Sequence, residues 1–367
     1  MKKIRKMSEL MPELVADILL RLPVSSLLRC RCVSKSLRTE IDSEYFVKNH
    51  LDRSIQTETR QKLVIYGSLI NQSSEIYVAD FDDNLARARP LNRPLISRHH
   101  NAPMYGYCNG LILFGPHLTI WNPFTRRYKR IPPPDESNAI FLCSGLGYDS
   151  VRDDYMIVLI SKPHLGCCHV WIFGLKSDFW RRSQDLNDDA SPWPLGHFAS
   201  GALYWPCKIK NKCVGFDLAK EVFFDIPLPS DCGRGSIFSD SLVVFGGKVY
   251  SPTLHDGTVE YYLLVNEDKG GDVMGVSWRK EFTMENVTTI RDVFPPRPLA
   301  YSKDRNSILL GEVGGVFWHN LENRTKQRVD IAGLPVEGRY RYNVCWENLV
   351  SVGKDSAFDG AAEEVTN

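Results

Sequence analysis

The stretch 118–134, LTIWNPFTRRYKRIPPP, contains two short runs rich in apolar and aromatic residues joined by a polar turn. Such a pattern is typical of two antiparallel strands. It recurs at intervals along the chain, which indicates an internal repeat. The six copies are IYVADFDDNLARARPL (76–91), the stretch just quoted, VWIFGLKSDFWRRSQD (170–185), VGFDLAKEVFFDIPLP (214–229), YYLLVNEDKGGDVMGVSWRKEF (261–282) and GVFWHNLENRTKQRVDI (315–331).

The spacing of the copies sets the size of the repeating unit. Equivalent turn positions lie 42 to 54 residues apart, about 48 on average, which is enough for four strands. Further glycine-containing strands precede the hairpins, as in CNGLILFG (108–115) and SGALYWPC (200–207). A hairpin-rich unit cannot bury both faces of its sheet alone, so the pattern predicts an all-β, six-bladed β-propeller. We expect 62–67 to pair with 342–352 and close the ring.

The first 51 residues have helical instead of strand periodicity, and we call them the helical head. Leu14, Ile18 and Leu22 fall on one stripe of a helix that Pro12 can open and Pro23 must close. A second short helix is predicted around Leu27 and Leu28, with Ser25 or Ser26 as its cap. A third is predicted from Leu37 to Leu51. The head is therefore expected to be a small all-α domain of three short helices.

The helical head carries more large aliphatic residues than three short helices can hide, so we expect a second polypeptide to cover part of it. The polar run DRSIQTETR (52–60) suggests a linker without tight docking. The predicted organisation is thus a head at 1–51, a linker at 52–62, a β domain at 63–352 and a disordered acidic tail at 353–367. Removal of residues 1 to 55 is expected to leave a stable fragment.

The segment MPELVADILLRLPVSSLLRCRCVSKSLRTEIDSEYFVKNHL resembles an F-box. Met11 and Leu37 depart from the family pattern, which usually has leucine and tryptophan there. The resemblance implies binding to a Skp-type adaptor, and through it to a cullin and a RING protein. The implied adaptor contacts are Pro12, Leu14, Ile18, Leu22, Pro23, Leu27, Leu28, Val33 and Leu37.

The β domain is similar to the F-box-associated domain of plant proteins, through CNGL, IWNPFTRRYKRIP, GLGYDSVRDDYMIV, SGALYW and GFDLAKEVFFDIPLP in that order. This family includes pollen compatibility factors and receptors for immune regulators. The two resemblances together imply the substrate-recognition subunit of an SCF (Skp–cullin–F-box) ubiquitin ligase, whose β domain binds a protein target for proteasomal degradation. An adaptor-bound scaffold that degrades nothing, and a propeller enzyme, remain as alternatives.

Composition excludes several other classes of partner. Lys and Arg number 45 against 44 Asp and Glu, so nucleic acid held by counterion release is not expected. No apolar run is long enough to span a membrane, and Glu9, Glu13 and Asp17 interrupt what would be the core of a signal peptide. Ten cysteines show no disulfide framework and are interpreted as reduced thiols. We expect the protein in the cytoplasm, the nucleus or both.

Catalytic motifs are not recognisable in the sequence, and a non-catalytic role is expected. The best metal candidate is His164 with Cys167, Cys168 and His169, four ligands within six residues. Adjacent cysteines in a strand point to opposite faces, however, and no Cys-x-x-Cys pair accompanies them. We therefore expect no metal and no cofactor.

Overall fold

A computed structural model describes residues 12–69, 75–81, 87–91, 104–115, 118–135, 140–163, 167–186, 195–207, 212–229, 242–255, 257–267, 275–285, 295–312, 314–335 and 338–353. Within these ranges the chain forms helices first and then strands in six four-stranded sheets. Of the described helices, none combines the length and the apolarity that crossing a membrane requires.

The helices are α1 (Pro12–Leu20), α2 (Val24–Cys30), α3 (Lys35–Ile41) and α4 (Glu44–Gln56). The structure thus divides the third predicted helix in two. Ser43 caps the new helix, since its hydroxyl accepts a hydrogen bond from the backbone N–H of Phe46 at 3.2 Å. The predicted cap of α2 at Ser25 or Ser26 is wrong, because α2 begins at Val24 and Pro23 occupies the capping position without a side-chain hydrogen bond.

The polar run 52–60 is not a linker, because α4 continues to Gln56. Phe46, His50 and Ser54 recur every four residues and are buried along one face of α4, while polar residues of the run lie on the opposite face. The first part of the polar run is therefore the end of an amphipathic helix. Only residues 57–60 separate α4 from the first strand. The tail predicted to be disordered lies outside the described part of the chain after Gly353.

The strands follow the predicted repeat, four to a blade. Blade one is β24 (Gly338–Trp346), β1 (Gln61–Leu69), β2 (Glu75–Asp80) and β3 (Ala88–Leu91); blade two is β4 (Met104–Cys108), β5 (Leu111–Phe114), β6 (Thr119–Asn122) and β7 (Arg127–Arg130); blade three is β8 (Ile140–Asp149), β9 (Asp154–Lys162), β10 (His169–Gly174) and β11 (Phe179–Arg182). Blade four is β12 (His197–Ala199), β13 (Ala202–Cys207), β14 (Lys212–Asp217) and β15 (Val222–Pro227); blade five is β16 (Val243–Phe245), β17 (Lys248–His255), β18 (Thr258–Glu267) and β19 (Gly275–Met284); blade six is β20 (Arg297–Tyr301), β21 (Ser307–Glu312), β22 (Gly315–Asn320) and β23 (Lys326–Val329).

The first strands of the blades surround a common axis. Strand β4 lies beside β8, β8 beside β12, β12 beside β16, β16 beside β20, and β20 beside β24. Strand β24 then pairs with β1 in antiparallel register from Gln61↔Trp346 to Leu69↔Gly338. The two ends of the β domain therefore share one sheet, which confirms the predicted closure and leaves the ring without an open seam. The six-bladed propeller is confirmed.

The core of the propeller lies between neighbouring blades. Leu113 of blade two and Leu146 of blade three belong to one buried cluster, and Trp205 of blade four packs with residues of blade three in another. Blades three and four approach each other closely near the axis. A Cβ on Gly145 of blade three would lie 2.8 Å from a methyl carbon of Leu203 of blade four. Glycine is required there because the facing side chain is fully buried and has no room to withdraw.

Candidate functional site on the helical head and the propeller

Helix α1 presents a pair of half-exposed aliphatic side chains. Leu14 is 49% exposed and Ile18 is 46% exposed, and their four-residue spacing puts them on the same helix face. Leu19, on the other side of α1, is buried in the core of the head. Helix α1 is therefore held by one face and free to contact another molecule by the other.

The remaining residues implied as adaptor contacts differ in exposure. Pro23 and Val33 are exposed, and Leu22 and Leu28 are half-buried. Leu27 and Leu37 are buried together with Ile41 and Phe46 in the core of the head. These two residues pack between the helices and have little or no exposed surface in this chain, so their implied contact with an adaptor stays a prediction. Pro12 is the first residue of α1, and its side chain lies outside the described part.

The helical head rests on one end of the propeller, which we call the near end. This end carries the turn at 150–153 of blade three, the turn at 123–126 of blade two and the segment 347–349 after β24. Leu349 and Phe124 from the near end join the apolar core of the head. Part of the apolar surface predicted to meet another polypeptide is thus covered by this chain's own propeller.

Glu347 is the polar centre of this contact. Its Oε2 accepts a hydrogen bond from the backbone N–H of Val24 at 2.9 Å, and its Oε1 lies 2.6 Å from Nζ of Lys62. The carboxylate therefore satisfies a backbone donor in the first turn of α2, which Pro23 leaves uncapped. Both carboxylate oxygens are partnered, as a buried charge requires.

The connection between α1 and α2 is held from two sides. Nη1 of Arg60 donates to the carbonyl oxygen of Leu20 at 3.1 Å, and Nε2 of His50 lies 2.9 Å from the carbonyl oxygen of Leu22. A carbonyl can only accept, so Nε2 carries the proton. Burial lowers the pKa of His50 and favours the neutral ring, while the hydrogen bond to Leu22 acts in the opposite direction.

Ion pairs surround the contact at its edge. Nζ of Lys48 on α4 lies 2.7 Å from Oδ1 of Asp153, and Nζ of Lys176 lies 3.0 Å from Oδ2. Hydrogen bonds from Lys48, Tyr148 and Lys176 lower the pKa of Asp153. These side chains are 40 to 50% exposed, so each pair contributes at most about 1 kcal/mol. The apolar residues and Glu347 are the main support of the docking.

The opposite, far end of the propeller is the other candidate surface. Strand β8 starts there at Ile140 and reaches the near end at Asp149, roughly 30 Å away for ten residues of strand. Ile140 and Phe141 are 62% and 47% exposed. The segments 92–103, 187–194 and 230–241 lie outside the described residues.

A polar group lies on the inner strands near the axis. His197 on β12 is buried, and its Nδ1 has no hydrogen-bond partner among the described residues. Nη1 of Arg297 on β20 donates to Oδ1 of Asn343 on β24 at 3.0 Å. Burial, with a smaller contribution from Arg297, lowers the pKa of His197 to about 3. The imidazole is therefore neutral at physiological pH.

The residues singled out as metal candidates are partly brought together. Cys168 is buried between blades three and four while Cys167 faces the other way, as predicted for neighbours in a strand, and His164 lies outside the described residues. One ligand atom each of Cys167, His169 and Asp185 lie within 4.8 Å of one another. Sequence reasoning missed Asp185, because only strand pairing brings it to the other two.

Comparison with known proteins agrees with both parts of the structure. A family model described as "F-box associated beta propeller domain" matches residues 77–292, and one described as "F-box domain" matches residues 7–49. F-box protein CPR1 of Arabidopsis thaliana is 29% identical over 88% of this chain and 84% of its own length. F-box protein At4g22390 of the same plant is 24% identical over 94% and 90%.

Among solved structures, TolB from Acinetobacter baumannii is 9% identical to this chain, with a TM-score of 0.45. The match covers 83% of this chain and 73% of TolB.

The F-box implies binding to a Skp-type adaptor. Its combination with a propeller domain supports a general role as substrate adaptor in SCF complexes. The chain belongs to the F-box proteins that carry an F-box associated β-propeller domain.

Proposed function

We propose that the protein is the non-catalytic, target-binding subunit of an SCF ubiquitin ligase, and that its target is a protein marked for proteasomal degradation. The observation that carries this proposal is the division of the helical head into two faces. One face is fixed to the near end by Glu347 and Leu349, and the other exposes Leu14 and Ile18. An adaptor bound to the exposed face leaves the far end of the propeller free for cargo.

The exposed residues of the implied contact set would meet the adaptor, with Leu14 and Ile18 on α1 as the anchors. Covering the exposed half of each aliphatic side chain contributes about 1 kcal/mol before the costs of association. Leu27 and Leu37 would act indirectly, by keeping α1 and α2 in place. The binding mode proposed is an apolar helix face laid into a groove of the partner.

For the target we propose the far end, with Ile140 and Phe141 as apolar contacts. Exposed apolar neighbours on a strand end are suited to a protein partner, and aromatic residues are enriched at such interfaces. The rigid docking of the head has a consequence for the ligase. A target at the far end would be held at a fixed position relative to the adaptor, so its lysines would meet the conjugating enzyme by proximity.

The test compares two double variants of the full chain in plant cells with the proteasome blocked, each fused to a proximity-labelling enzyme. Ile140→Asp with Phe141→Asp should lose labelled target while keeping adaptor, and Leu14→Asp with Ile18→Asp should do the reverse. Val222→Asp, which changes another exposed aliphatic residue of the propeller, is the control. In cells without the proteasome inhibitor, the half-life of a labelled target should then lengthen with the second variant. An unchanged half-life would favour a non-degradative scaffold and refute the proposal.

A further inference from the structure

Blade three carries a cluster of three metal-ligand side chains at its far end. The ligand atoms of Cys167, His169 and Asp185 lie within 4.8 Å of one another, and each side chain is half-buried. Sγ of Cys167 donates a hydrogen bond to Oδ2 of Asp185 at 3.4 Å. Tetrahedral zinc with bonds of about 2.0–2.3 Å separates its ligand atoms by roughly 3.3–3.7 Å. Small side-chain adjustments would therefore bring all three to one ion.

The backbone fixes this arrangement. Cys168 and Leu186 form an antiparallel bridge, with the N–H of Cys168 donating to the carbonyl of Leu186 at 3.1 Å and the reverse bond at 2.9 Å. This register puts Asp185 directly opposite His169, the geometry in which side chains of a strand pair meet. Cys167 is two residues from His169 and so shares its face. The three ligands come from two paired segments and converge without a loop rearrangement.

Arg182 already binds both oxygens of Asp185, so an ion would have to replace its contact with Oδ2. Its guanidinium donates to Oδ1 of Asp185 at 2.9 and 3.1 Å, and to Oδ2 at 2.8 Å. Oδ1 can keep Arg182 while Oδ2 turns to a metal. Ligating carboxylates are commonly oriented by hydrogen bonds of this kind. One thiolate and one carboxylate would then offset the two charges of a divalent ion, and the charge of Arg182 would remain beside them.

We propose that Cys167, His169 and Asp185 bind one Zn²⁺ ion, with water as the fourth ligand. Zinc is the metal that suits mixed sulfur, imidazole and carboxylate ligands. On binding, the S–H bond of Cys167 breaks, its proton leaves to solvent, and a Zn–S bond forms without any change of oxidation state. The ion joins the start of β10 to the segment after β11. This inference is independent of the proposed ligase role.

The position of the site gives it a structural consequence. Phe141 pairs with Ser161 across β8 and β9, and Ser161 pairs with His169 across β9 and β10. The exposed Phe141 and the zinc site thus lie in one row, roughly 10 Å apart at the usual strand spacing. Zinc would stiffen the part of blade three that adjoins this exposed aromatic residue.

The experiment uses the full chain, stripped of metal with a chelator and dialysed against Zn²⁺ and, separately, Co²⁺. We expect one zinc per chain by elemental analysis and a sulfur-to-cobalt charge-transfer band in the Co²⁺ form. Two variants test the ligands: Asp185→Asn, which keeps the shape of the side chain, and Cys167→Ser. Each should weaken zinc binding by at least about 100-fold, because loss of a ligand costs more than loss of a residue that only orients a ligand. Cys167→Ser should also abolish the band.

The matched control is Cys32→Ser, which removes an exposed thiol of the helical head and should keep both signals. Zinc should raise the melting temperature of the wild-type chain and leave the melting temperature of Asp185→Asn unchanged. This measurement requires only that both proteins are folded. Zinc content that is the same in wild type and Cys167→Ser, or a charge-transfer band lost in Cys32→Ser, would overturn the site. Zinc content near zero in the wild-type chain would overturn it as well.

Discussion

Glu347 accepts a hydrogen bond at 2.9 Å from the backbone N–H of Val24, a residue 323 positions earlier in the chain. Glu347 directly follows β24, the strand that closes the ring against β1. The same carboxylate lies 2.6 Å from Lys62 on β1. One side chain therefore links ring closure to docking of the helical head, and the two events should be coupled in folding.

This coupling predicts the effect of Glu347→Ala. The change leaves the buried N–H of Val24 without its acceptor and weakens the support of Lys62, so we expect a loss of about 2–3 kcal/mol in the free energy of unfolding. Urea denaturation measures it, and amide exchange at Val24 should quicken. Glu322→Gln, on an exposed turn of blade six, is the control. Equal stability of both variants would contradict the role assigned to Glu347.

Leu14→Asp with Ile18→Asp should abolish binding of a Skp-type adaptor with little change in the melting temperature. The reason is that both side chains are about half exposed, so charge is placed on a surface instead of in a core. Leu27→Asp should abolish binding too, but by unfolding the head, since Leu27 is fully buried. Adaptor pull-down with parallel melting curves separates these effects. An adaptor retained by the double variant would count against α1 as the anchor.

Deletion of residues 1 to 55 should not give the stable fragment that the sequence suggested. It cuts inside α4 and exposes Leu349 and Phe124, which pack in the core of the head. We expect the fragment to lose about 2–4 kcal/mol and to aggregate. Light scattering and thermal melting test this, and serine at both exposed positions should restore a monodisperse fragment. A fragment as stable as the full chain would refute the prediction.

His197 should make the protein sensitive to mild acid. Its pKa of about 3 in the folded state lies below the unfolded value near 6.5, so the unfolded chain binds more protons between these values. Stability is then complete above pH 6.5 and falls as the pH is lowered. At pH 5 the loss from this residue is about 2 kcal/mol. His197→Gln should reduce the difference in unfolding free energy between pH 7 and pH 5, and an unchanged difference would contradict it.

Gly106→Ala should destabilise the ring where blades two and three meet. A Cβ at this position would lie 2.7 Å from the backbone nitrogen of Leu146, which has no freedom to withdraw. We expect a cost of about 1–3 kcal/mol. Gly314→Ala is the matched control, because a Cβ there meets nothing within 4 Å. Equal melting temperatures of the two variants would contradict this prediction. They would show that β4 and β8 can move apart without loss of stability.

The zinc ligands illustrate what sequence reasoning could and could not recover. Cys167 and His169 were recognisable as two of four possible ligands within six residues, although the sequence analysis expected no metal there. Asp185 was not, because its place opposite His169 depends on a shift of register after β11 that leaves no spacing signal. The residues implied as adaptor contacts also divide into a part that the sequence could predict and a part that it could not. Helical periodicity separates apolar from polar residues, but it does not say which apolar residues remain exposed once the helices pack.

The sequence by itself determined the six-bladed repeat, the closure of the ring by its two ends and the helical nature of residues 12–51. These features depend on local periodicity and turn chemistry, which are written into short stretches of chain. Tertiary structure alone decided that the head docks on the propeller through Glu347 and Leu349, and that Leu14 and Ile18 face outward while Leu27 and Leu37 do not. The physical reason is that burial and hydrogen-bond pairing between distant segments depend on three-dimensional packing, which local patterns do not encode.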